Sequence, residues 1–463
     1  MRTGMFATAL VLAAALLAMA PSAAPAQSLA CAQVITEDTT LHADLGPCPG
    51  DGLVIGARNV TLDLNGHAIV GDATGEDAGV RDEGHNRVVV ENGEIHGFFT
   101  AVKLDAADGS RVSHMTETIT TPTCCMRRFV QVLDSRLVQI ENNFSDSGLG
   151  DEDVFVVSGS RNLIRGNVAH GPGQGDSFVI SGSHNSIRGN TALLPSYGFM
   201  RIDGSKNRVK HNHVEAVNGG FSVRGARNLI AANSVPSSDS GLEVSGPGNV
   251  IRGNVVGRPL EPSLTVGGEC RKVKVKSNDF LNGMELNGCR RARIKGNTLS
   301  AEVEGISLRG GSDNTVKRNT ITDAYAGIVA LGDSEGALVR RNTFSGGSWG
   351  IMVVNGSDNS IERNTVSQTD HSGIFVGGGS FETGPSVGTI VSGNLVTRAG
   401  FNADGSDDND GIHVEDPGTT IANNDANDNA DYGIQAVPGV IDGGGNTAVG
   451  NGNPLQCLNV ACS

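Results

Sequence analysis

The chain has 463 residues, among them 65 glycines, with 4% aromatic residues and a formal net charge of −15. The acidic balance excludes a general nucleic-acid binder, because such binding depends on neutralising phosphates with basic side chains. The scarcity of Phe, Tyr and Trp argues against a compact core of large rings, and the abundance of Gly favours many tight turns between short strands.

The N-terminal segment, residues 1–26, has the pattern of a secretory signal peptide. Arg2 supplies a positive n-region, MFATALVLAAALLAMA supplies an apolar h-region, and Ala24-Pro25-Ala26 is an A-x-A cleavage site. A single N-terminal membrane anchor is the alternative. No later run of 18 or more apolar residues occurs, so no membrane span is expected in the mature chain. We therefore expect a secreted or periplasmic protein from which residues 1–26 are removed.

Export permits disulfide bonds, and the cysteines are even in number at eight. Cys124 and Cys125 are adjacent, and their pairing is left open. None of the cysteines has the CxxC spacing of a metal or redox site. We expect disulfides among the other six, which are Cys31, Cys48, Cys270, Cys289, Cys457 and Cys462.

The phrase [IV]-x-x-N recurs along most of the mature chain. Its period of about 22 residues falls among the lengths that are typical of repeat architectures. A second phrase, G-[aliphatic]-x-[aliphatic], alternates with the first, as in GLEV, GISL and GIHV. Each repeat thus holds at least two short strands with alternating apolar residues, separated by turn residues. The last Asn of the first phrase is found at Asn143, Asn167, Asn190, Asn212, Asn233, Asn254, Asn278, Asn297, Asn319, Asn342, Asn364, Asn394 and Asn424.

A repeat of this length with several short strands predicts a solenoid. The L-x-x-L-x-L frame of leucine-rich repeats is absent, which favours a parallel β-helix whose coils stack about 4.8 Å apart. The anchor asparagines should form an internal ladder, and the Ile or Val before each should form the core. Cys270 and Cys289 lie at equal distances before Asn278 and Asn297. They should therefore be vertical neighbours and form a disulfide.

The stretch CAQVITEDTTLHADLGPCPGDGLVIGARNVTLDLNGHAIVGD (31–72), with the N-x-[IV]-x-x-N coils that follow, resembles secreted bacterial right-handed parallel β-helix repeat proteins. These belong to the pectate-lyase-like superfamily and include the NosD-like copper-protein group. We expect an all-β fold, a single-stranded right-handed parallel β-helix of about 15 coils. Residues 27–52 should form an N-terminal cap, 53–450 the β-helix and 451–463 a C-terminal disulfide tail.

The resemblance is specific for the fold and much less so for an activity. Its members include polysaccharide lyases, uronate epimerases, glycoside hydrolases and proteins of no known activity. The Asp-Pro-His-Asp motif of alginate epimerases does not occur in this sequence, and no motif supports a copper role.

A row of basic residues occupies the position two before the anchor Asn, where side chains should point outward. Such a row at strand spacing suits a linear polyanion such as a polyuronate. Alternatively, the aliphatic stems cover the strand surface and the charges pair with nearby acids. Nine successive coils carry Arg165, Arg188, Lys210, Ala231, Arg252, Lys276, Lys295, Lys317 and Arg340 at this position. Substrate binding is predicted for the last five of these.

Two coils near the C-terminus are longer than the others, with the additional residues in 377–388 and 399–410. The residues just before the G-I strands should form one wall. An exposed aromatic face beside acids and a histidine suits a sugar subsite. The alternative is an acidic, solvated loop whose Asn and Asp residues favour turns. The wall is predicted to comprise Tyr325, Trp349, His371, Asp410 and Tyr432, with His413 pointing outward from its strand.

Catalytic roles are predicted for three residues of this region. Asp410 and His413 are the expected acid and base, and His371 is expected to assist. Trp349, Tyr432 and Tyr325 are the expected platforms for sugar rings.

Carboxylates of the same region form a candidate calcium site. Asp407, Asp408 and Glu415 supply the oxygen ligands that Ca²⁺ prefers. A role in forming turns is the alternative.

A second carboxylate pair comes from two aligned segments, GDEDVFVVSGS and GQGDSFVISGS. The alignment predicts that Asp153 and Asp176 lie on adjacent coils. A separation of about 5 Å would match the pair of a retaining glycosidase, and like charges at that distance would raise one pKa. An ion site and turn-forming aspartates are the alternatives.

These patterns favour a monomeric protein that either only binds an extracellular acidic polysaccharide or also cleaves or epimerises it, with no cofactor or with calcium. One alternative is a non-catalytic surface or structural protein. Another is a NosD-like accessory for metal insertion. Nucleophile motifs, phosphate loops and dinucleotide fingerprints do not occur in the sequence.

Overall fold

The structure is a computed structural model that describes residues 29–118, 128–146, 153–171, 175–257, 259–331, 334–378, 387–401 and 409–463. Within these ranges the chain consists of short parallel strands and turns, wound into a β-solenoid of about 17 turns. The sequence predicts about 15 coils, which is close to this number. None of the described segments is a helix long and apolar enough to cross a membrane.

Three parallel ladders run along the solenoid. Ladder A consists of Gln33–Ile35, Leu53–Ile55, Ala78–Glu83, Thr100–Asp105, Arg128–Arg136, Phe155–Ser160, Phe178–Ser181, Thr191–Asp203, His213–Arg224, Leu242–Ser245, Leu264–Gly267, Met284–Asn287, Glu304–Arg309, Ala326–Leu331, Trp349–Val354, Ile374–Gly377, Ile412–Val414, Ile434–Ala436 and Cys457–Leu458.

Ladder B follows ladder A within each coil. It consists of Thr39–Thr40, Thr61–Asp63, Val89–His96, Arg111–Thr118, Gln139–Glu141, Leu163–Arg165, Ser186–Arg188, Arg208–Lys210, Leu229–Ala231, Val250–Arg252, Lys274–Lys276, Arg293–Lys295, Thr315–Lys317, Leu338–Arg340, Ser360–Glu362, Ile390–Ser392, Thr420–Ala422 and Ile441–Gly444.

Ladder C completes each coil. Its own strands are Leu45–Cys48, Ala68–Gly71, Phe144–Asp146, Val168–His170, Ser234–Ser237, Val255–Val256, Asp279–Phe280, Thr298–Ser300, Thr320–Thr322, Thr343–Ser345, Thr365–Ser367, Leu395–Thr397 and Asp425–Asn427. Four longer strands bend round a corner and also pair in ladder C: Val89–His96, Arg111–Thr118, Thr191–Asp203 and His213–Arg224.

The anchor asparagines form a buried column at the corner between ladders B and C. The backbone N–H and the side-chain amide of Asn167 both donate to Oδ1 of Asn190, each at 3.0 Å. The Asn190 amide in turn donates to the carbonyl of Ile164 and to Oδ1 of Asn212, both at 3.0 Å. The predicted ladder is confirmed, and it satisfies polar groups that the bend would otherwise leave without partners.

The core is built from one inward residue at the centre of most ladder B strands, with further aliphatic residues from ladders A and C. Ile164, Ile187 and Val209 occupy successive coils of ladder B and are fully buried. Their neighbours along each strand face outward, because side chains alternate across a strand. The residue two before each anchor Asn is therefore on the outer face, as the sequence predicts.

Disulfides join the expected cysteines. Cys270 and Cys289 are bonded between adjacent coils, with their Cα atoms 4.6 Å apart, which confirms the predicted vertical register. The other two bonds are Cys31–Cys48 and Cys457–Cys462. Cys124 and Cys125 lie outside the described residues, as does the predicted signal peptide.

The two ends of the solenoid are continuous with its coils. From Gln33 onward, the segment expected to form the N-terminal cap supplies strands to all three ladders and forms the first coil. At the other end, Cys457–Leu458 pairs in parallel with Ile434–Ala436 and so extends ladder A into the predicted disulfide tail.

Candidate functional site

The predicted row of basic residues forms a single column on the outer face of ladder B, called here the cationic column. Strand register aligns its members one coil apart, and Glu362 follows in the next coil. The column consists of Arg165, Arg188, Lys210, Ala231, Arg252, Lys276, Lys295, Lys317 and Arg340.

Ion pairing distinguishes the ends of the cationic column from its centre. Arg165 lies 3.2 Å from Glu141, and Arg340 lies 3.4 Å from Glu362. Among the described residues, the six cations between them have no carboxylate within 4.0 Å. Some cations elsewhere in the solenoid are matched closely, as with Arg81 and Asp51 at 2.6 Å. Charge pairing therefore does not account for the centre of the column, although it does account for both ends.

Positive charge is concentrated around the column. Desolvation, followed by the charges of Arg318, Arg340 and Arg341, lowers the pKa of Lys317. The other outward position of these ladder B strands, two residues before the column, carries three further cations. They are Arg208, Lys274 and Arg293, and all three are exposed.

The predicted wall lies at the start of ladder A and is divided between two neighbouring columns. Trp349, Asp410 and Tyr432 each come directly before the Gly of a G-I strand, and the Tyr432 N–H donates to Asp410 Oδ1 at 2.9 Å. Tyr325 and His371 lie one residue earlier, because a further residue separates each from the corresponding Gly. The prediction of one wall is therefore corrected to two adjacent columns.

A series of ring contacts connects the wall to His413. The Trp349 and His371 rings stack with centroids 4.7 Å apart, and Trp349 meets Phe375 edge-on at 5.6 Å. Phe375 stacks on His413 at 5.7 Å. Phe375 is not predicted as a site residue from the sequence. The alignment of GIFV with GIHV in the next coil would have placed Phe375 next to His413.

His413 and Asp410 form a close pair. His413 Nδ1 lies 2.8 Å from Asp410 Oδ2, and Asp410 is fully buried. His413 does lie on the outer face of ladder A, between the inward residues Ile412 and Val414. The outward direction predicted for His413 is therefore confirmed, and the side chain is buried there, with an exposure of 5%.

The pair can perform proton transfer. When Nδ1 donates to Asp410, the imidazole is held in one tautomer, and Nε2 becomes the atom that accepts or releases a proton. Nε2 lies 3.8 Å from Oε1 of the exposed Glu415. Burial raises the pKa of Asp410, and the hydrogen bond and charge of His413 oppose that effect.

Asp410→Asn is expected to change how stability depends on pH. The raised pKa of Asp410 means that the folded chain binds the proton more tightly than the unfolded chain, whose value is near 3.8. The stabilisation from this group is complete below that value and is lost as pH rises through the folded pKa. The Tm of the wild type minus that of the variant should therefore fall as pH rises above about 4. A difference that does not vary with pH would contradict this assignment.

A cavity of about 570 Å³ lies next to His371. Phe401 contributes an aromatic ring that is 64% exposed, and Thr369, which donates to the His371 carbonyl at 2.7 Å, lies on its border. Neither Phe401 nor Arg398 is predicted as a site residue, although Phe401 falls in the 399–410 insert. The cavity is lined by Gln368, Thr369, Asp370, Arg398, Phe401 and Asp428.

The second carboxylate pair is brought together as expected. The Asp176 N–H donates to Asp153 Oδ1 at 2.8 Å. Asp176 itself accepts from the Phe199 N–H at 2.8 Å and lies 2.9 Å from the Arg201 guanidinium. Burial raises the pKa of Asp176. Because backbone groups and Arg201 engage these oxygens, the geometry favours a role in stabilising the corner.

The candidate calcium site is only partly within the described residues. Asp407 and Asp408 lie outside them, and Glu415 is exposed. In the parts of the chain that the structure describes, no three His, Cys, Asp or Glu side chains are grouped so as to hold a metal ion.

The family model described as "Right handed beta helix region" matches residues 108–256 and 264–415. The chain belongs to this family. A search of curated proteins finds no match.

Three solved structures show the range of similar chains. A PL6 alginate lyase complex with trisaccharide has 14% identity and a TM-score of 0.36, covering 79% of this chain and 82% of that chain. The tailspike protein of E. coli bacteriophage HK620 with a pentasaccharide has 11% identity and a TM-score of 0.39, covering 93% and 73%. A mannuronan C-5 epimerase module of Azotobacter vinelandii has 16% identity and a TM-score of 0.18, covering 88% and 91%.

In this right-handed β-helix, the two candidate surfaces lie on different ladders. The sequence predicts substrate binding for the basic residues of the column and, separately, for the aromatic residues of the wall. The structure places the cationic column on ladder B and the wall at the start of ladder A. Each surface therefore needs its own test.

Proposed function

We propose that this protein binds an extracellular acidic polysaccharide along the cationic column of ladder B. The observation that carries the proposal is the unpaired centre of the column, where six cations have no carboxylate within 4.0 Å among the described residues. Like charges at strand spacing repel one another, so the column costs free energy unless counter-ions or a ligand compensate. A linear polyanion compensates all of them at once.

The dimensions of the column fit a chain-like ligand. From Arg188 to Lys317 it spans six coil steps, or about 29 Å at about 4.8 Å per step. A polyuronate carries a carboxylate on each sugar ring and can therefore contact successive coils. The net charge of the whole chain is −15. Acidic regions elsewhere repel a polyanion and so direct it to this face.

Neutralising the centre of the column should weaken binding. The double variant Lys276→Gln/Lys295→Gln is expected to bind polyuronate oligomers roughly tenfold more weakly, at about 0.7 kcal/mol for each exposed charge. Binding by the wild type should also weaken as salt rises, because salt screens exposed charges. Calorimetric titration at two salt concentrations measures both effects.

The matched control is Arg58→Gln/Arg224→Gln, which removes the same charge at exposed positions outside the cationic column. It should bind like the wild type. Equal losses in both double variants, or wild-type affinity for a neutral glucan as high as for polyuronate, would refute the proposal.

A second candidate function is acid–base chemistry on the glycan at His413. It is favoured by the 2.8 Å contact between His413 and the buried Asp410, close to the stacked rings of Trp349 and His371. Three assays separate the reactions: absorbance of a new double bond for a lyase, new reducing ends for a hydrolase, and altered uronate configuration by NMR for an epimerase. A protein that only binds the glycan gives none of these signals.

A further inference from the structure

The cationic column has one interruption, at Ala231. Strand register places Ala231 directly between Lys210 and Arg252, one coil to either side. Ala231 faces outward, because its neighbour Ile230 is the inward residue of the strand. A small side chain therefore stands where the adjacent coils carry long ones.

The interruption lies in a depression at the C-terminal ends of the ladder B strands, with a volume of about 450 Å³. This volume is within the range of about 300–1,000 Å³ that small-ligand sites occupy. Ala231 lines the depression and is itself 5% exposed, so it contributes to the floor. The depression is lined by Lys210, His211, Ala231, Ala232, Arg252, Gly253, Lys276 and Ser277.

The lining combines apolar and cationic groups in the way that an acidic sugar requires. Ala232 is exposed and offers its methyl group to the C–H face of a pyranose ring, whereas Ala231 is buried beside it. Lys210, Arg252 and Lys276 surround them, and none of the three has a carboxylate within 4.0 Å among the described residues. The lining itself contains no acidic side chain. An anionic ring placed here gains charge-assisted hydrogen bonds without displacing an existing ion pair.

We propose that this depression is a specificity subsite that seats one uronate ring of the polysaccharide, with its carboxylate between Lys210 and Arg252. The inference rests on the proposed function, because it assigns a preferred position to the bound chain. The rest of the column then binds through charge, and the depression adds recognition of ring shape. An uninterrupted column would attract any polyanion of sufficient charge density.

The variant Ala231→Arg distinguishes the contribution of the depression's shape to binding from the contribution of positive charge. The variant continues the column and adds one positive charge, but its side chain fills the depression. If charge alone governs binding, the variant binds polyuronate oligomers more tightly than the wild type. We expect it to bind at least about tenfold more weakly.

Two controls accompany this variant. Thr315→Arg adds the same charge on the outer face of ladder B, away from the depression, and should bind as tightly as the wild type or more tightly. Ala231→Ser keeps the side chain small and should retain binding. Thermal unfolding checks that each variant is folded, which is expected because position 231 points away from the core.

The outcomes distinguish the subsite from the proposed function. If the wild type shows salt-dependent binding and Ala231→Arg binds equally well or better, the subsite is refuted and binding along the column stands. If the wild type binds no polyuronate, both proposals fail. Weaker binding by Ala231→Arg, with both controls retained, supports the subsite.

Discussion

Asn190→Ala is expected to lower the free energy of unfolding by about 3–5 kcal/mol. Asn190 Oδ1 accepts from both the backbone N–H and the side chain of Asn167, and its amide donates to the Ile164 carbonyl and to Asn212. All of these groups are buried. Truncation removes a partner from each of them at once, and each buried polar group left unsatisfied costs about 1–3 kcal/mol. The cavity left by the amide adds to the loss.

Urea unfolding monitored by circular dichroism measures this effect, with Ser186→Ala as the control. Ser186 lies outward on ladder B in the same coil, so its truncation should change stability by no more than about 0.5 kcal/mol. Hydrogen exchange should also show faster opening of the coils next to Asn190, because each coil of a solenoid is stabilised by its neighbours. A loss below about 1 kcal/mol for Asn190→Ala would mean that the column contributes less than a typical buried hydrogen bond.

The register of the solenoid could be predicted because one chemical requirement recurs in nearly every coil. An Asn at each bend must meet the Asn of the next coil, so the sequence interval between them gives the coil length directly. The same argument pairs Cys270 with Cys289 before any coordinates are known. Two turns lack the phrase, and for this reason the sequence undercounts them. Met115, whose N–H donates to Asn143 Oδ1, occupies the anchor position of one. Asn446, which accepts from the Asn424 N–H, occupies that of the other and has no Ile or Val three residues before it.

Contacts that depend on side-chain shape could not be predicted in the same way. The stacking of Phe375 on His413 joins coils on either side of an insert, where the regular spacing of the repeat no longer applies. The burial of His413 likewise depends on its surroundings rather than on strand alternation. The depression at Ala231 is visible in sequence only as a missing charge, and its volume follows from the neighbouring coils.

Asp410→Asn and His413→Gln are each expected to reduce glycan turnover by about 100- to 10,000-fold, the usual contribution of a positioned acid or base. His413→Gln removes the group that carries the proton. Asp410→Asn leaves a similar shape but no longer holds the imidazole in the tautomer in which Nε2 is the basic nitrogen. Both variants should retain polyuronate binding, because the cationic column lies on ladder B.

The chain contains a matched control for these substitutions. Asp82 and His85 form another pair three residues apart, with Nδ1 of His85 also 2.8 Å from an Asp82 oxygen. Asp82 is fully buried, and burial raises its pKa as it does for Asp410. This pair lies near the N-terminal end of the solenoid, far along the chain from Trp349 and Phe375.

Asp82→Asn should therefore affect stability in a similar way to Asp410→Asn while leaving turnover intact. His85→Gln should also leave turnover intact, and it should cost less stability than His413→Gln because the His85 side chain is 33% exposed and that of His413 only 7%. This comparison separates catalysis from folding, because the same chemical change is made in both places. Equal loss of activity in both pairs would show that the effect is structural. Full activity in His413→Gln would remove His413 from the reaction and direct the search for the acid–base group to the cavity beside Phe401.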